Sequence, residues 1–407
     1  MKILVLTQVF YPDTVSVSQH LTDFAVYMSK QGHDVNVLTS SYAYDENRSR
    51  FKKHQVFNGI QIRRVNQTRF GKKNQISRLV DFASFYLSIF LKLLFQKKNH
   101  DLILVTSVPP MLSVLGILVA KVKRIPLYYW LMDLQPELSI SSGLLTEGSF
   151  ISKTLLRLSN YSIKHSKRTI ALDRFMKAYL EQRGIKPETI VVHPVWPVMS
   201  KIYEGDRLNN PFRIENDFGD KIVVMYSGNH SYVHPLDTLL EASLALRGDD
   251  RFLFAFVGGG VRKKDVSSFR EKHNLSNIIQ LPFQPRENIH NSLGSSDIQV
   301  VIMGDGQVGY THPNKIYGAL FIGKPIIYIG PKPSHVEDIL ENLKGNITVE
   351  HGQSDELVEK LLEVVSSKES IHEIGNNNKE YAQTHFSPGT LMSQQYESLF
   401  TDNNCIT

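Results

Sequence analysis

Apolar positions along the chain follow two alternating periods. Short β-branched runs read as strands at residues 3–7 (ILVLT), 34–39 (DVNVLT), 60–65 (IQIRRV), 101–106 (DLILVT), 127–131 (LYYWL), 168–173 (RTIALD) and 189–193 (TIVVH). Between most of them apolar residues recur every three or four positions over lengths that suit crossover helices, as from His20 to Gln31 and from Met111 to Lys123. Strands alternating with helices imply a parallel sheet covered on both faces. The pattern breaks at the Pro-rich stretch HPVWPVMS (193–200) and restarts with strand-like runs at 222–227, 252–258, 278–283, 298–303, 325–330 and 346–350. This predicts two open α/β domains joined by a hinge near 194–205, with helices from Ser370 to His385 and from Thr390 to Phe400 closing the chain. Open parallel sheets bind ligands beyond the carboxyl ends of their strands, so the functional residues are expected in the loops there.

Length and composition agree with this division. At 407 residues the chain exceeds one ordinary core, and 42% apolar with 21% charged residues is the profile of a folded protein. The single cysteine, Cys405, excludes an internal disulfide framework and a multi-cysteine metal site, and it points to a reducing compartment. The opening MKILVLTQVFYP passes straight into a strand-like run without a cleavage pattern, so it is expected to begin a fold rather than to serve as an export signal. The longest apolar stretch, Leu79 to Phe95, contains Asp81 and Lys92 and falls short of the roughly 20 uninterrupted residues of a spanning helix. Charge, by contrast, divides the halves: residues 1–200 hold 27 Lys and Arg against 13 Asp and Glu, and the remainder holds 19 against 27. The two halves are therefore expected to meet different partners.

One charge is out of place. In THPNKIYGALFIGKP (311–325), Pro313 suits a first helical position and Gly323 with Pro325 a helix end, which predicts a helix over 313–322 with Lys315 in its first turn. A helix start is locally positive and disfavours a cation. Either the lysine bends into solvent, or an anion sits there and is met by both the N–H groups and the ammonium.

Eight ordered motifs resemble those of the GT-B-fold glycosyltransferases of family four, and within it the bacterial branch that builds colanic acid, capsule and O-antigen units. They are FYPDTVSVSQHLTDFAVYMSKQGHDVNVLTS (10–40), TSVPP (106–110), MDLQPE (132–137), YSGNHSYVHPLDTLLEA (226–242), FVGGG (256–260), LPFQPRENI (281–289), SSDIQVVIM (295–303) and HPNKIYGALFIGKPII (312–327). The resemblance implies two Rossmann-like doubly wound domains facing across a cleft, with an acceptor-binding domain at 1–198, a nucleotide-sugar-binding domain at 199–385, and a closing helix and tail at 386–407 packed on the N-terminal domain. It also implies a retaining transfer from a nucleoside diphosphate sugar, which supplies the anion for Lys315. The donor contacts it points to are Ser16, Ser18, Gly228, Asn229, Gly259, Arg262, Lys263, Phe283, Arg286, Asp305, Gly306 and Lys315; Asp133 and Glu137 are the candidates for action on substrate hydroxyls.

The chain departs from the family pattern at several positions. Two glutamates usual in the family are replaced by Tyr310 and Gly318, and a usual Arg and Lys by Asn229 and His234, so the diphosphate charge falls on Lys315 with Arg262, Lys263 or Lys264. A glycine pair in the first loop is replaced by Ser16, Val17 and Ser18, where Ser18 also suits an N-cap. The histidine that many members carry near Met132 or Asp133 is absent, and His193 is expected to pack at the hinge. Plain turn formation is an equal reading of the Gly258–Gly260 triplet. No D-x-D metal motif occurs, so no metal or other cofactor is expected, and no G-x-G-x-x-G follows the first strand. A sugar-nucleotide epimerase, or a silent partner subunit that only binds the nucleotide sugar, is the alternative.

The basic N-terminal half suits an acceptor carried on a polyprenyl diphosphate lipid. Leu79, Phe82, Phe85, Tyr86, Ile89, Phe90 and Leu93 form an apolar stripe, either core or partner-facing, among Arg63, Arg64, Arg69, Lys72, Lys73, Arg78, Lys92, Lys97 and Lys98. The expectation is a cytoplasmic enzyme held peripherally and salt-sensitively at the inner face of the plasma membrane, with no nucleic-acid partner.

Overall fold

The computed structural model describes residues 1–43, 50–68, 70, 75–95, 99–199, 201–366 and 368–401. The chain forms two compact units. One comprises Met1–Pro194, Gly309–His312 and the described part of Leu391–Thr407; the other comprises Val195–Val308 and Pro313–Thr390.

The first unit holds an eight-stranded sheet of β1 (Lys2–Leu6), β2 (Asp34–Ser40), β3 (His54–Phe57), β4 (Ile60–Val65), β5 (Leu102–Thr106), β6 (Leu127–Trp130), β7 (Arg168–Ala171) and β8 (Ile190–Val192), in the order β3-β4-β2-β1-β5-β6-β7-β8. Every pairing is parallel except β3 with β4. That hairpin was not expected, although Asn58-Gly59, with φ of 46° and 81°, is the residue pair that a tight hairpin turn selects. The seven predicted strands are all present, and β5 and β6 are buried along their whole length, as continuous apolar runs require. Connecting helices include α1 (Ser16–Lys30), α2 (Gln75–Phe95), α3 (Leu112–Lys123), α4 (Glu137–Ser141), α5 (Phe150–Lys164) and α6 (Arg174–Gln182).

On α2 the stripe divides. Phe85, Ile89 and Leu93 are buried in the core with Val105, Ile117 and Leu127, whereas Leu79 and Phe90 are exposed. Arg64 is not on a solvated basic face: it is buried, and its guanidinium donates to the carbonyls of Lys52 and Tyr11 and to Gln55 Oε1. Arg69, Lys72, Lys73, Lys97, Lys98 and Cys405 lie outside the described residues, as does the side chain of Arg78. Among the described residues no helix is long and apolar enough to cross a membrane.

The second unit holds a wholly parallel six-stranded sheet of β9 (Ile222–Asn229), β10 (Phe252–Gly259), β11 (Ile278–Leu281), β12 (Ile298–Ile302), β13 (Ile326–Ile329) and β14 (Ile347–Val349), in the order β11-β10-β9-β12-β13-β14. Its helices include α7 (Pro211–Glu215), α8 (Asp237–Ala245), α9 (Lys263–His273), α10 (Ile289–Gly294) and α11 (Lys315–Phe321). Both sheets reverse their winding beside their first strand, between β1 and β5 in one and between β9 and β12 in the other. These reversals are the topological switch points, where the flanking loops diverge and leave room for a ligand.

Candidate functional site

In the second unit the loops leaving β9 and β12 flank the switch point. Helix α11 begins at Lys315 itself, with Asn314 as its N-cap, so Pro313 stands before the helix rather than inside it; Gly323, at φ 70°, terminates it as expected. A seven-residue helix carries only a small dipole, so positive charge here comes mainly from the lysine. The side chain does not bend into solvent. Lys315 Nζ donates to Tyr226 Oη at 2.8 Å and lies 4.3 Å from the centroid of that ring, and Tyr226 Oη donates to the Asn229 carbonyl at 2.8 Å. No carboxylate pairs with Lys315 among the described residues, and burial pulls its pKa down to about 7.

Two imidazoles lie near Lys315. Burial, with Lys315 nearby, pushes His230 down to about 4 and His234 well below the usual histidine range, so both are neutral at physiological pH. His234 Nδ1 lies 2.9 Å from Ser231 Oγ and 3.2 Å from the Asn229 carbonyl, whereas His230 Nε2 is buried without a hydrogen-bonding partner among the described residues. Three glycines make this close packing possible. A Cβ on Gly228 would collide with Lys315 Cε, one on Gly258 would collide with the Gly228 carbonyl, and one on Gly260 would stand 2.5 Å from the His230 carbonyl oxygen. The Gly258–Gly260 triplet thus lets the ends of β9 and β10 run backbone against backbone, which is more than a plain turn.

The remaining donor-side candidates are distributed less simply. Arg262 is already matched by acids, with Nη2 3.1 Å from Asp237 Oδ2 and Nε 2.6 Å from Asp265 Oδ2, so its charge is not free for a diphosphate. The guanidinium of Arg286 donates to the Val198 carbonyl at 3.1 Å. Lys263 opens α9 and its carbonyl accepts from Gln280 Nε2 at 2.9 Å. Phe283 is 59% exposed with its ring against Gly258 and Gly259, which offers a flat apolar platform there. Asp305 and Gly306 form an exposed turn after β12, with Gly306 at φ 71°.

Ser16 and Ser18 belong to the other unit. Val15, not Ser18, caps α1; Ser16 is exposed, and Ser18 is fully buried with no partner for its Oγ among the described residues. At the carboxyl edge of the same sheet, the Asp133 N–H donates to Ser107 Oγ at 3.3 Å, and Asp133 Oδ1 accepts from Thr311 Oγ1 at 2.8 Å. Burial raises the Asp133 pKa, with the Thr311 hydrogen bond and the nearby His312 opposing it. Asp133 caps no helix, since α4 starts at Glu137 with Pro136 as its N-cap. Glu137 is not a solvated loop residue: it is buried, ion-paired to Arg183, and accepts from Tyr179 Oη at 3.3 Å, while its Oε2 is buried without a hydrogen-bonding partner among the described residues. That places Glu137 in the support of Arg183 and Tyr179. His193 is half-buried beyond β8, where burial lowers its pKa.

Sequence reasoning missed the buried pair of His312 Nδ1 and Asp173 Oδ2, 2.7 Å apart, in which Asp173 also caps α6 by accepting from the Met176 N–H at 2.7 Å. His312 stood inside a motif already singled out, but its partner is 139 residues away in sequence. The positions without the family glutamates are filled by packing. The Tyr310 ring meets the Tyr179 ring edge-on at 4.8 Å, and Gly318 lies near Leu293 and Met199.

The fold agrees with that of known proteins. Residues 17–195 match the model of Glycosyltransferase Family 4, and residues 209–381 match that of Glycosyl transferases group 1. The solved structure of Anabaena HepE in complex with UDP and glucose superposes with a TM-score of 0.75 over 99% of this chain and 100% of that one, at 17% identity. The chain has the GT-B fold of the glycosyltransferases. WaaG, a glycosyltransferase involved in lipopolysaccharide biosynthesis, superposes on this GT-B chain with a TM-score of 0.74 over 98% of it and 100% of WaaG, at 13% identity. A probable glycosyltransferase of Pseudomonas aeruginosa, WbjE, is 22% identical over 260 residues, which span 64% of this chain and 64% of WbjE.

Proposed function

We propose that this GT-B chain moves a sugar from a nucleoside diphosphate sugar to a hydroxyl of a lipid-linked glycan during surface polysaccharide assembly. The observation that carries the reading is Lys315, a partly buried lysine without a carboxylate partner among the described residues, at the switch point of the second sheet. An ammonium held in this way calls for an anion, and a donor diphosphate supplies one. Glycosyl transfer builds negative charge on the departing diphosphate, and a preorganised ammonium in a water-poor site stabilises that charge where it develops. Backbone N–H groups around Gly228–Gly260, His230 Nε2 and the Phe283 face complete a donor site, with the nucleobase on the phenyl platform.

The reaction we assign retains the anomeric configuration and uses no metal. The acceptor hydroxyl attacks on the face that the diphosphate leaves and passes its proton to a phosphate oxygen, so no carboxylate nucleophile is needed. Asp133, with its raised pKa, orients a sugar hydroxyl. Binding of UDP or UDP-glucose by HepE, and the role of WaaG in lipopolysaccharide biosynthesis, support a UDP-sugar donor and a membrane-bound acceptor. The basic charge of the N-terminal half supports peripheral attachment at an anionic membrane.

Tyr310 and Gly318 in place of glutamates favour the rival reading of a silent nucleotide-sugar-binding subunit. A panel of UDP, GDP, ADP and dTDP in thermal-shift measurements tests the donor site itself. One base is expected to stabilise the protein by about 3 kcal/mol at a hundredfold excess over its Kd. No response to any of the four would remove the basis for both readings.

A further inference from the structure

We infer that the outer face of α2, α3 and α5 inserts into the surface of an anionic bilayer, and that a cavity between α3 and α5 receives a lipid phosphate. The inference rests on the membrane-associated reading above and assigns its surface and its lipid chemistry.

Helix α3 packs between α2 and α5, and more than half of the exposed large apolar side chains of the described residues lie on these three helices. On α2 the exposed set includes Leu87, Leu91, Leu94 and Phe95, recurring at three and four residues on the side opposite Phe85, Ile89 and Leu93. This helix is therefore apolar on both sides, one filling the core and the other facing outward. Helix α3 adds Leu118 and Val122, the latter 80% exposed, and α5 adds Phe150 and Ile151. A water-facing surface gains nothing from such a set, and exposed apolar side chains gathered on neighbouring helices mark an interaction site.

The charge around this face selects the occupant. Helices α3 and α5 contain no Asp or Glu, while they carry Lys121, Lys123, Lys153, Arg157 and Lys164. The one acid of α2, Asp81, is turned to its own loop, where Oδ1 accepts from Thr68 Oγ1 at 2.7 Å and from the Phe70 N–H at 3.0 Å. Five basic residues on α3 and α5, against Asp81 and the exposed Glu147 just before α5, match these apolar side chains to an anionic bilayer.

The cavity sharpens the match. It has a volume of about 360 Å³, with apolar walls from Ile117, Ile125 and Leu127 and four basic side chains, Lys121, Arg124, His165 and Lys167, at its lining. Lys121 Nζ donates to Tyr161 Oη at 2.7 Å and sits 4.7 Å from that ring's centroid, and the Tyr161 and His165 rings are 4.1 Å apart. Lys121 and His165 are thus held in place by an aromatic side chain of α5. The cavity lies where β6 begins, at Leu127, whereas Asp133 follows the end of that strand, so the two belong to opposite edges of the sheet. An apolar wall beside the Lys121, Arg124 and Lys167 cations suits a phosphate attached to acyl chains.

Flotation of the full chain with vesicles tests the assignment. Wild type is expected to rise with phosphatidylglycerol-containing vesicles and poorly with pure phosphatidylcholine. Leu91→Glu with Leu94→Glu is expected to abolish flotation on both, and Lys121→Glu with Lys167→Glu to lower partitioning into anionic vesicles by roughly tenfold or more. Circular dichroism and an unchanged thermal shift by the donor nucleotide establish that each variant is folded. If wild type floats and both variants float equally well, this face is overturned while membrane attachment stands. If wild type ignores all vesicles, both ideas fall. If it ignores vesicles and forms a dimer that the leucine variant splits, the face belongs to a second copy of the chain. Because apolar insertion is not screened, high salt is expected to weaken but not abolish binding, and complete loss at about 1 M salt would leave only the electrostatic mechanism.

Discussion

Replacing Lys315 by Met removes the charge and keeps most of the aliphatic length that lies over Gly228 and Tyr226. A charge-assisted hydrogen bond contributes about 1.5–3 kcal/mol, so Kd for the donor nucleoside diphosphate should rise by roughly 10-fold to 150-fold. The lowered pKa adds a signature that a plain loss of packing cannot imitate. With a pKa of about 7 in the empty site, Lys315 is charged at low pH and neutral at high pH. A bound diphosphate favours the charged form and raises this pKa, so above neutrality the nucleotide binds with uptake of a proton. Affinity should then fall by up to about tenfold per pH unit above about 7.5, where the terminal phosphate of the ligand no longer titrates. Isothermal titration calorimetry in buffers of differing ionisation enthalpy reads the uptake directly. Close to one proton per nucleotide is expected for wild type near pH 8.5 and none for Lys315→Met. Equal affinity of the two proteins, or a wild-type affinity independent of pH, would refute the assignment of Lys315 to the diphosphate.

Other outcomes are equally specific. Gly228→Ala places a Cβ into Lys315 at φ 142°, a conformation reserved for glycine, and should cost about 1–3 kcal/mol in chemical denaturation while weakening nucleotide binding. Glu137→Gln leaves the Arg183 guanidinium without its carboxylate and should lower stability by about 3–5 kcal/mol with nucleotide Kd unchanged, since Glu137 supports the fold; a selective loss of turnover in a stable protein would return Glu137 to the chemistry. Asp133→Asn keeps an acceptor for Thr311 and should reduce turnover more than nucleotide affinity, as steady-state kinetics beside calorimetry would show. Turnover should also survive EDTA, and a loss that magnesium or manganese restores would reveal a metal requirement.

What the sequence made legible follows the range of the interactions involved. Both sheets could be read because buried parallel strands appear as continuous apolar runs, and the division between Pro194 and Val195 because Pro-rich sequence interrupts them. The β3–β4 hairpin was equally local and was overlooked: its Asn58-Gly59 turn was in plain view, but its strand, HQVF, lacks a clear apolar alternation. Lys315 stood out because a cation at a helix start conflicts with local electrostatics. Its partner Tyr226 could not be foreseen, since that contact spans 89 residues and depends on Gly228 leaving room for the side chain. The same limit hid the capture of Arg262 by Asp237, the burial of Glu137 against Arg183, and the His312–Asp173 pair, all made by folding rather than by spacing. The α2 stripe was read correctly on its core side alone, because a helix that is apolar on both sides shows no clear second face in its periodicity.

The central claim is acceptor-dependent transfer. The direct measurement incubates the full chain with the nucleotide sugar whose base gives the largest thermal shift, with and without a polyprenyl-diphosphate-linked glycan, and follows both free nucleoside diphosphate and the mass of the lipid-linked product. Nucleoside diphosphate release that requires the acceptor, matched by one added sugar whose anomeric proton shows the donor's configuration, is the predicted result. Release that ignores the acceptor, or no turnover of a donor that the protein demonstrably binds, would contradict it.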